Sequence, residues 1–192
     1  AALQAGKHVF LEKPAARTVA EAERIAEAAK EAGTVLGLGL VVRLFPEYAR
    51  ASQTVRSGQI GRAAACRMRR GGPAPTGVER WFRDPARSGG VLLDLAIHDF
   101  DWLRWTFGEP ARVYARHVRV EEGEYALSTL TFASGLASPS NILRRAGPSS
   151  SRAMARLILW AASGSGSPAA CLFSAGREVW APIRPRIRAA SP

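Results

Sequence analysis

Lys7-His8-Val9-Phe10-Leu11-Glu12-Lys13-Pro14, with the stretch from Thr18 to Val42 behind it, decides the fold. Lys7 to Leu11 reads as a strand, closed by a proline that cannot donate to a ladder. Thr18-Val19-Ala20-Glu21 spells a capping box, the threonine accepting from the N3 amide and the glutamate reaching back. Ala22, Ile25, Ala26 and Ala29 follow at i, i+3, i+4 and i+7, one stripe of a helix whose other face carries Glu23, Glu27, Lys30 and Glu31. Gly33 ends that helix at C′. Thr34 to Val42 is a continuous apolar run of strand length, the signature of a strand covered on both faces. Strand, helix and strand together predict a parallel βαβ unit over residues 1–43. Gly37 and Gly39 lie inside the strand and lack a third glycine, so they allow close backbone approach and form no dinucleotide fingerprint.

Working outward, residues 44–137 read as a second unit of different construction. Pro46 opens a helix that buries Tyr48, Ala51 and Val55 and stops at Gly58. Ala63 to Arg69 predicts a strand and Gly71 to Gly77 a loop. A long helix follows over about 91–107, stopped by Gly108 and Pro110. Arg112 to Val120 and Tyr125 to Phe132 alternate, and the acidic turn Glu121-Glu122-Gly123-Glu124 joins them into an antiparallel hairpin. A parallel unit followed by antiparallel strands predicts α/β plus α+β.

Residues 138–192 differ from both. Ala, Arg, Ser, Pro and Gly make up 39 of their 55 residues, lysine is absent, and neither period persists outside Met154 to Trp160. The segment reads either as a flexible tail or as a shifted reading frame after about Ala137. It also holds eight arginines against the single acid Glu178, so most of the +11 net charge of the 192 residues sits there. No lysine block or aromatic ladder accompanies those arginines, so a nucleic-acid partner is not expected. The longest apolar run, Val35 to Val42, falls far short of the ~18 residues of a membrane helix, so no membrane partner is expected either. Cys66 and Cys171 cannot build a disulfide framework, and a reducing, cytoplasmic setting is the simplest expectation.

Two constellations can carry chemistry. Glu12-Lys13-Pro14 lies at the C-terminal end of a parallel strand, where ligands of open α/β sheets collect. A lysine there can hydrogen-bond a substrate hydroxyl, although a solvated strand end with a turn proline has the same sequence. The second is Ser88-Gly89-Gly90-Val91-Leu92-Leu93-Asp94-Leu95-Ala96-Ile97-His98-Asp99-Phe100-Asp101. Asp94 and His98 fall at i and i+4, so a carboxylate can orient an imidazole general base. The same spacing serves a plain helix-surface pair, or two ligands of a metal site. A metal needs a third ligand, and no motif ties His8 or His117 to the pair, so none is expected.

Taken in order, Ala5 to Pro14, Arg43-Leu44-Phe45-Pro46, Trp81-Phe82-Arg83-Asp84 and the Ser88 to Asp101 segment resemble the Gfo/Idh/MocA family. That family comprises glucose–fructose oxidoreductase, inositol dehydrogenase and rhizopine-catabolism relatives. The resemblance covers residues 1–137. It implies the C-terminal part of a Rossmann-like parallel sheet binding NAD or NADP, then an α+β domain with an open antiparallel sheet. It further implies oxidation of a secondary hydroxyl of a sugar or cyclitol, or reduction of the ketone. Lys13 would contact the reacting oxygen, His98 would take the proton, and Asp94 would position substrate or imidazole. Glu12, Lys13 and Pro14 would lie near the nicotinamide ribose, and Arg43 and Trp81 would be cofactor-side contacts. A homo-oligomer through the open sheet is implied as well. The family's opening strand and glycine-rich turn have no counterpart in residues 1–192, so these residues alone are expected to bind NAD(P) weakly and to turn over poorly. The competing reading is a non-catalytic binding or oligomerisation module of the same fold.

Overall fold

The structure is a computed structural model; it describes residues 1–73, 81, 84–121, 123–145, 154–162 and 169–174. Strand β1 (Val9–Leu11) pairs in parallel with β2 (Leu36–Leu38), and α1 (Val19–Glu31) crosses between them. The capping box forms as expected: Thr18 Oγ1 accepts from the Glu21 N–H at 3.3 Å, and Glu21 Oε2 accepts from the Thr18 N–H at 3.0 Å. Ala22, Ile25 and Ala29 turn inward, whereas Ala26 is exposed, so the stripe is narrower than its sequence.

The apolar run over 34–42 is only partly strand. The Leu40 N–H turns back to the Leu38 carbonyl at 2.8 Å, and a 3₁₀ turn occupies Val41–Leu44. Cover on both faces is not observed: Val35 and Phe10 are exposed. The two glycines do sit at close approaches. A Cβ at Gly37 would stand 3.2 Å from the Phe10 ring, and one at Gly39 would stand 3.2 Å from Glu12 Oε2.

The second unit is a six-stranded sheet backed by helices α2 (Pro46–Arg56), α3 (Pro85–Ser88) and α4 (Ile97–Phe107). Its strands are β3 (Arg62–Pro73), β4 (Pro110–Val120), β5 (Gly123–Phe132), β6 (Ala137–Arg145), β7 (Met154–Ala162) and β8 (Ala169–Ser174), in the order β4-β5-β6-β3-β7-β8. The sheet is mixed, because β3 and β6 pair in parallel while every other neighbour is antiparallel.

Two expectations are corrected here. Gly71 to Pro73 continue β3, whose ladder to β6 and β7 overrides the glycines; positions 74–77 lie outside the described residues. The segment 138–192, read as a flexible tail or shifted frame with no sustained period outside Met154 to Trp160, supplies β7, β8 and nearly all of β6. In β6 the buried side chains alternate as Ser138, Ser140 and Ile142, a period visible in burial but not in hydropathy. β6 is also the central link of the sheet, sitting between β5 and β3.

The core lies between α4, α2 and the covered sheet face. Trp102 is fully buried, donates its indole N–H to the Tyr48 carbonyl at 2.9 Å, and meets Tyr48 and Phe107 edge-on. Cys66, Met68, Leu103, Leu130, Phe132, Leu136 and Leu157 complete that cluster; Val91, Ala96, Ala126 and Ile142 form a second under the start of the long helix. Burial pushes the Cys66 thiol well above its ordinary value, so it packs as a small hydrophobe. Among the described residues no helix is long and apolar enough to cross a membrane.

Candidate active site

The long helix is not regular. Leu92–Ala96 form a π-helical segment before α4, and Gly89 and Gly90 both take positive φ (76°) ahead of it. A Cβ at Gly89 would stand 2.4 Å from Leu93 Cδ2, so the turn leading into the helix is closed to larger residues. π-Bulges recur at functional sites because they re-aim side chains and open carbonyls to outside donors. Asp94 sits in this bulge. Lys13, delivered by the C-terminal end of β1 and followed by a cis peptide to Pro14, donates to Asp94 Oδ1 at 2.8 Å and to the Asp94 carbonyl at 2.6 Å. Residues 81 positions apart in the chain thus meet across the two units.

His98 follows at the first turn of α4, buried, and its Nδ1 makes no hydrogen bond. The expected Asp94 bond to that nitrogen is therefore not formed; Asp94 Oδ1 is engaged by Lys13. The imidazole pKa is pushed down to about 4, first by burial and then by the cations Lys13 and Arg70, with Asp94 and Asp101 pulling weakly the other way. His98 is thus a neutral base over the whole physiological range.

Every other acid of this helix is also held. Asp101 accepts from Arg43 in fork geometry, Nε to Oδ2 at 2.6 Å and Nη2 to Oδ1 at 2.5 Å, and the same guanidinium lies 5.7 Å from the Trp105 ring centre. Asp99, fully buried, accepts from Arg70 Nε at 2.9 Å, and Arg70 also reaches the Tyr48 hydroxyl at 3.1 Å. Arg70 was not singled out from sequence. Its signal was a lone arginine at a core-facing position of β3, two residues beyond Met68 and four beyond Cys66.

Glu12 is exposed at the end of β1 beside Gly39, and Pro14 is half-buried next to Lys13. Trp81 is half-buried in a turn where its carbonyl accepts from the Asp84 N–H at 3.1 Å; Phe82 and Arg83 lie outside the described residues. Lys13, Asp94 and His98 come together, and Arg43 joins them through Asp101.

A parallel strand–helix–strand unit whose strand end meets an α+β domain is the architecture of a Rossmann-type sheet joined to a second, differently built domain. Residues 1–40 match the model of an oxidoreductase family with an NAD-binding Rossmann fold, and residues 48–153 match the GFO/IDH/MocA C-terminal domain. The chain belongs to the GFO/IDH/MocA family. Over 117 residues, 60% of this chain and 35% of the relative, it is 38% identical to 1,5-anhydro-D-fructose reductase of Ensifer adhaerens. Over 109 residues, 57% of this chain and 31% of the relative, it is 36% identical to myo-inositol 2-dehydrogenase of Thermotoga maritima. Among solved structures it resembles a probable dehydrogenase from Thermotoga maritima with TM-score 0.76 and 29% identity, covering 92% of this chain and 53% of that one. It also resembles GenD2 from gentamicin A biosynthesis in complex with NAD, with TM-score 0.72 and 25% identity over 90% of this chain and 48% of that one. The chain spans about a third of the length of these curated relatives and about half of these structures.

Proposed function

We propose that these residues carry the catalytic end of an NAD(P)-dependent dehydrogenase that oxidises a secondary hydroxyl of a sugar or cyclitol, or reduces the corresponding ketone. The observation that carries the reading is the Lys13–Asp94 ion pair beside a buried, neutral His98. Lys13 donates a hydrogen bond to the reacting oxygen, and its positive charge stabilises that oxygen as the proton leaves. His98, uncharged above about pH 4, takes the proton. Asp94 orients the Lys13 ammonium.

NAD or NADP, when bound, supplies the hydride acceptor or donor. The residues at the strand end fit its ribose–nicotinamide part. The Glu12 carboxylate can accept from ribose hydroxyls, and Gly39 leaves open the space beside Glu12 that a Cβ would fill. Supporting the substrate class are relatives named as reductases or dehydrogenases of anhydrofructose and inositol.

His98→Ala in the full-length protein is expected to lower kcat/KM by about 10²- to 10⁴-fold, the worth of a positioned general base. The acid limb of the wild-type profile should fall near the lowered value of about 4, not at the ordinary histidine value of ~6.5. A limb unchanged by His98→Ala would refute the base assignment.

The open sheet face supports a homo-oligomer in the same reading. Val118, Tyr125 and Leu143 are register partners across β4, β5 and β6, and all three are exposed, with Tyr114 and Val120 alongside. Single apolar side chains on a surface are ordinary, whereas a contiguous row across three strands marks an interface. Val118→Glu is expected to halve or quarter the mass seen by analytical ultracentrifugation; an unchanged mass would remove this face from the interface.

A further inference from the structure

We propose that Glu124 is a positioning residue of this site, clamping the N-terminal turn of the helix that carries Asp94 and His98. The sequence places Glu124 in the acidic turn that joins two strands. The structure places it as a core-facing residue of β5, only 8% exposed. Its Oε2 accepts the Val91 N–H at 2.9 Å, one of the donors that a helix start leaves without an intrahelical partner. Its Oε1 accepts from Arg119 Nε at 2.8 Å and Nη2 at 2.5 Å, and Arg119 is its register partner on β4. His117 Nε2 lies 3.7 Å from the same oxygen.

The fit around this carboxylate is close. A Cβ at Gly90 would stand 3.1 Å from Glu124 Oε1 and 3.4 Å from Arg119 Nη2, and the Gly90 N–H is itself held by Ser88 Oγ at 3.1 Å. A carboxylate at a helix N-terminus is favoured by the helix dipole as well as by the hydrogen bond. Val91 is followed at once by the π-helical segment, so its position sets where that wider turn begins. Asp94 is three residues further on and His98 seven. Lys13 holds this helix from the first unit, and Glu124 holds it from the sheet. The β4–β5 hairpin is thereby tied to the helix that Lys13 grips from the other side.

The inference has the dehydrogenase reading as its premise for rates, and a second readout independent of it. Glu124→Asp, one methylene shorter, keeps the charge for Arg119 but withdraws from the Val91 N–H. Glu124→Gln keeps an acceptor at full reach. In the full-length protein Glu124→Asp is expected to lower kcat about tenfold, with KM for NAD(P) and for the polyol within about twofold, while Glu124→Gln recovers most of the loss. The His98 imidazole, followed by NMR without any substrate, should titrate at least about one pH unit higher in Glu124→Asp and near the wild-type position in Glu124→Gln. If both variants keep wild-type kcat and His98 titration while only Tm changes, Glu124 is a structural residue and the proposal fails. If wild-type protein oxidises no polyol with NAD(P), the dehydrogenase reading fails, and the His98 titration alone still decides the role of Glu124.

Discussion

Lys13→Met is expected to lower kcat/KM by about 10²- to 10⁴-fold, because in the proposed dehydrogenase it removes the donor to the reacting oxygen and its charge. It also takes away the cation facing Asp94, whose side chain is 5% exposed. A buried pair broken on one side costs about 3–5 kcal/mol. Lys13 itself is 20% exposed, so on the order of 2 kcal/mol is expected here, read as a shift in urea midpoint. Adding Asp94→Leu removes the buried carboxylate and should return most of that stability without returning any rate. Those two outcomes separate catalysis from packing. A double variant that regained activity along with stability would make Lys13 a structural partner of Asp94 and nothing more.

Arg70→Met is expected to be the most destabilising single change, by about 3–5 kcal/mol. Asp99, on the buried side of α4, is 1% exposed, and burial already pushes its carboxyl above the ordinary range, with the Arg70 guanidinium pulling it back. Without Arg70 the folded-state carboxyl rises further. A group with a raised folded pKa binds protons more tightly when folded, so its contribution to stability is lost as pH rises. The deficit of Arg70→Met should therefore be larger at about pH 8 than at about pH 5 in denaturant titrations. Arg70→Met with Asp99→Leu should recover most of the loss at both values. A deficit that grew on acidification would show that Asp99 stays ionised without its partner.

Local chemistry was legible where neighbours in sequence are neighbours in space. The capping box at Thr18 and Glu21, the proline start of α2 and the β4–β5 hairpin all formed because each depends on a few adjacent residues. Apart from the period over Met154 to Trp160, the strands of 137–174 were not legible. Ser138 and Ser140 share the face of β6 that Ile142 turns toward Val91 and Ala96, so small hydroxyls are buried there without any hydropathy signal. The role of Glu124 was hidden for the same reason, since nothing in the acidic turn names its partners Val91 and Arg119.

For the site, the sequence alone determined which reactive side chains exist and on which elements they ride: Lys13 at a strand end, Asp94 and His98 on one helix. Helix periodicity placed the latter two on a common face, but it could not say which partner each would take. Only the tertiary structure decided that Asp94 pairs with Lys13, 81 residues away, and not with His98 Nδ1. It likewise decided that His98 is neutral, because the lowered pKa comes from burial and from Lys13 and Arg70, two cations on other elements. Hydrogen bonds and charge effects act over a few ångströms of space, whereas propensity and periodicity act along a few residues of chain. Wherever the first kind of interaction joins distant segments, sequence order carries no record of it.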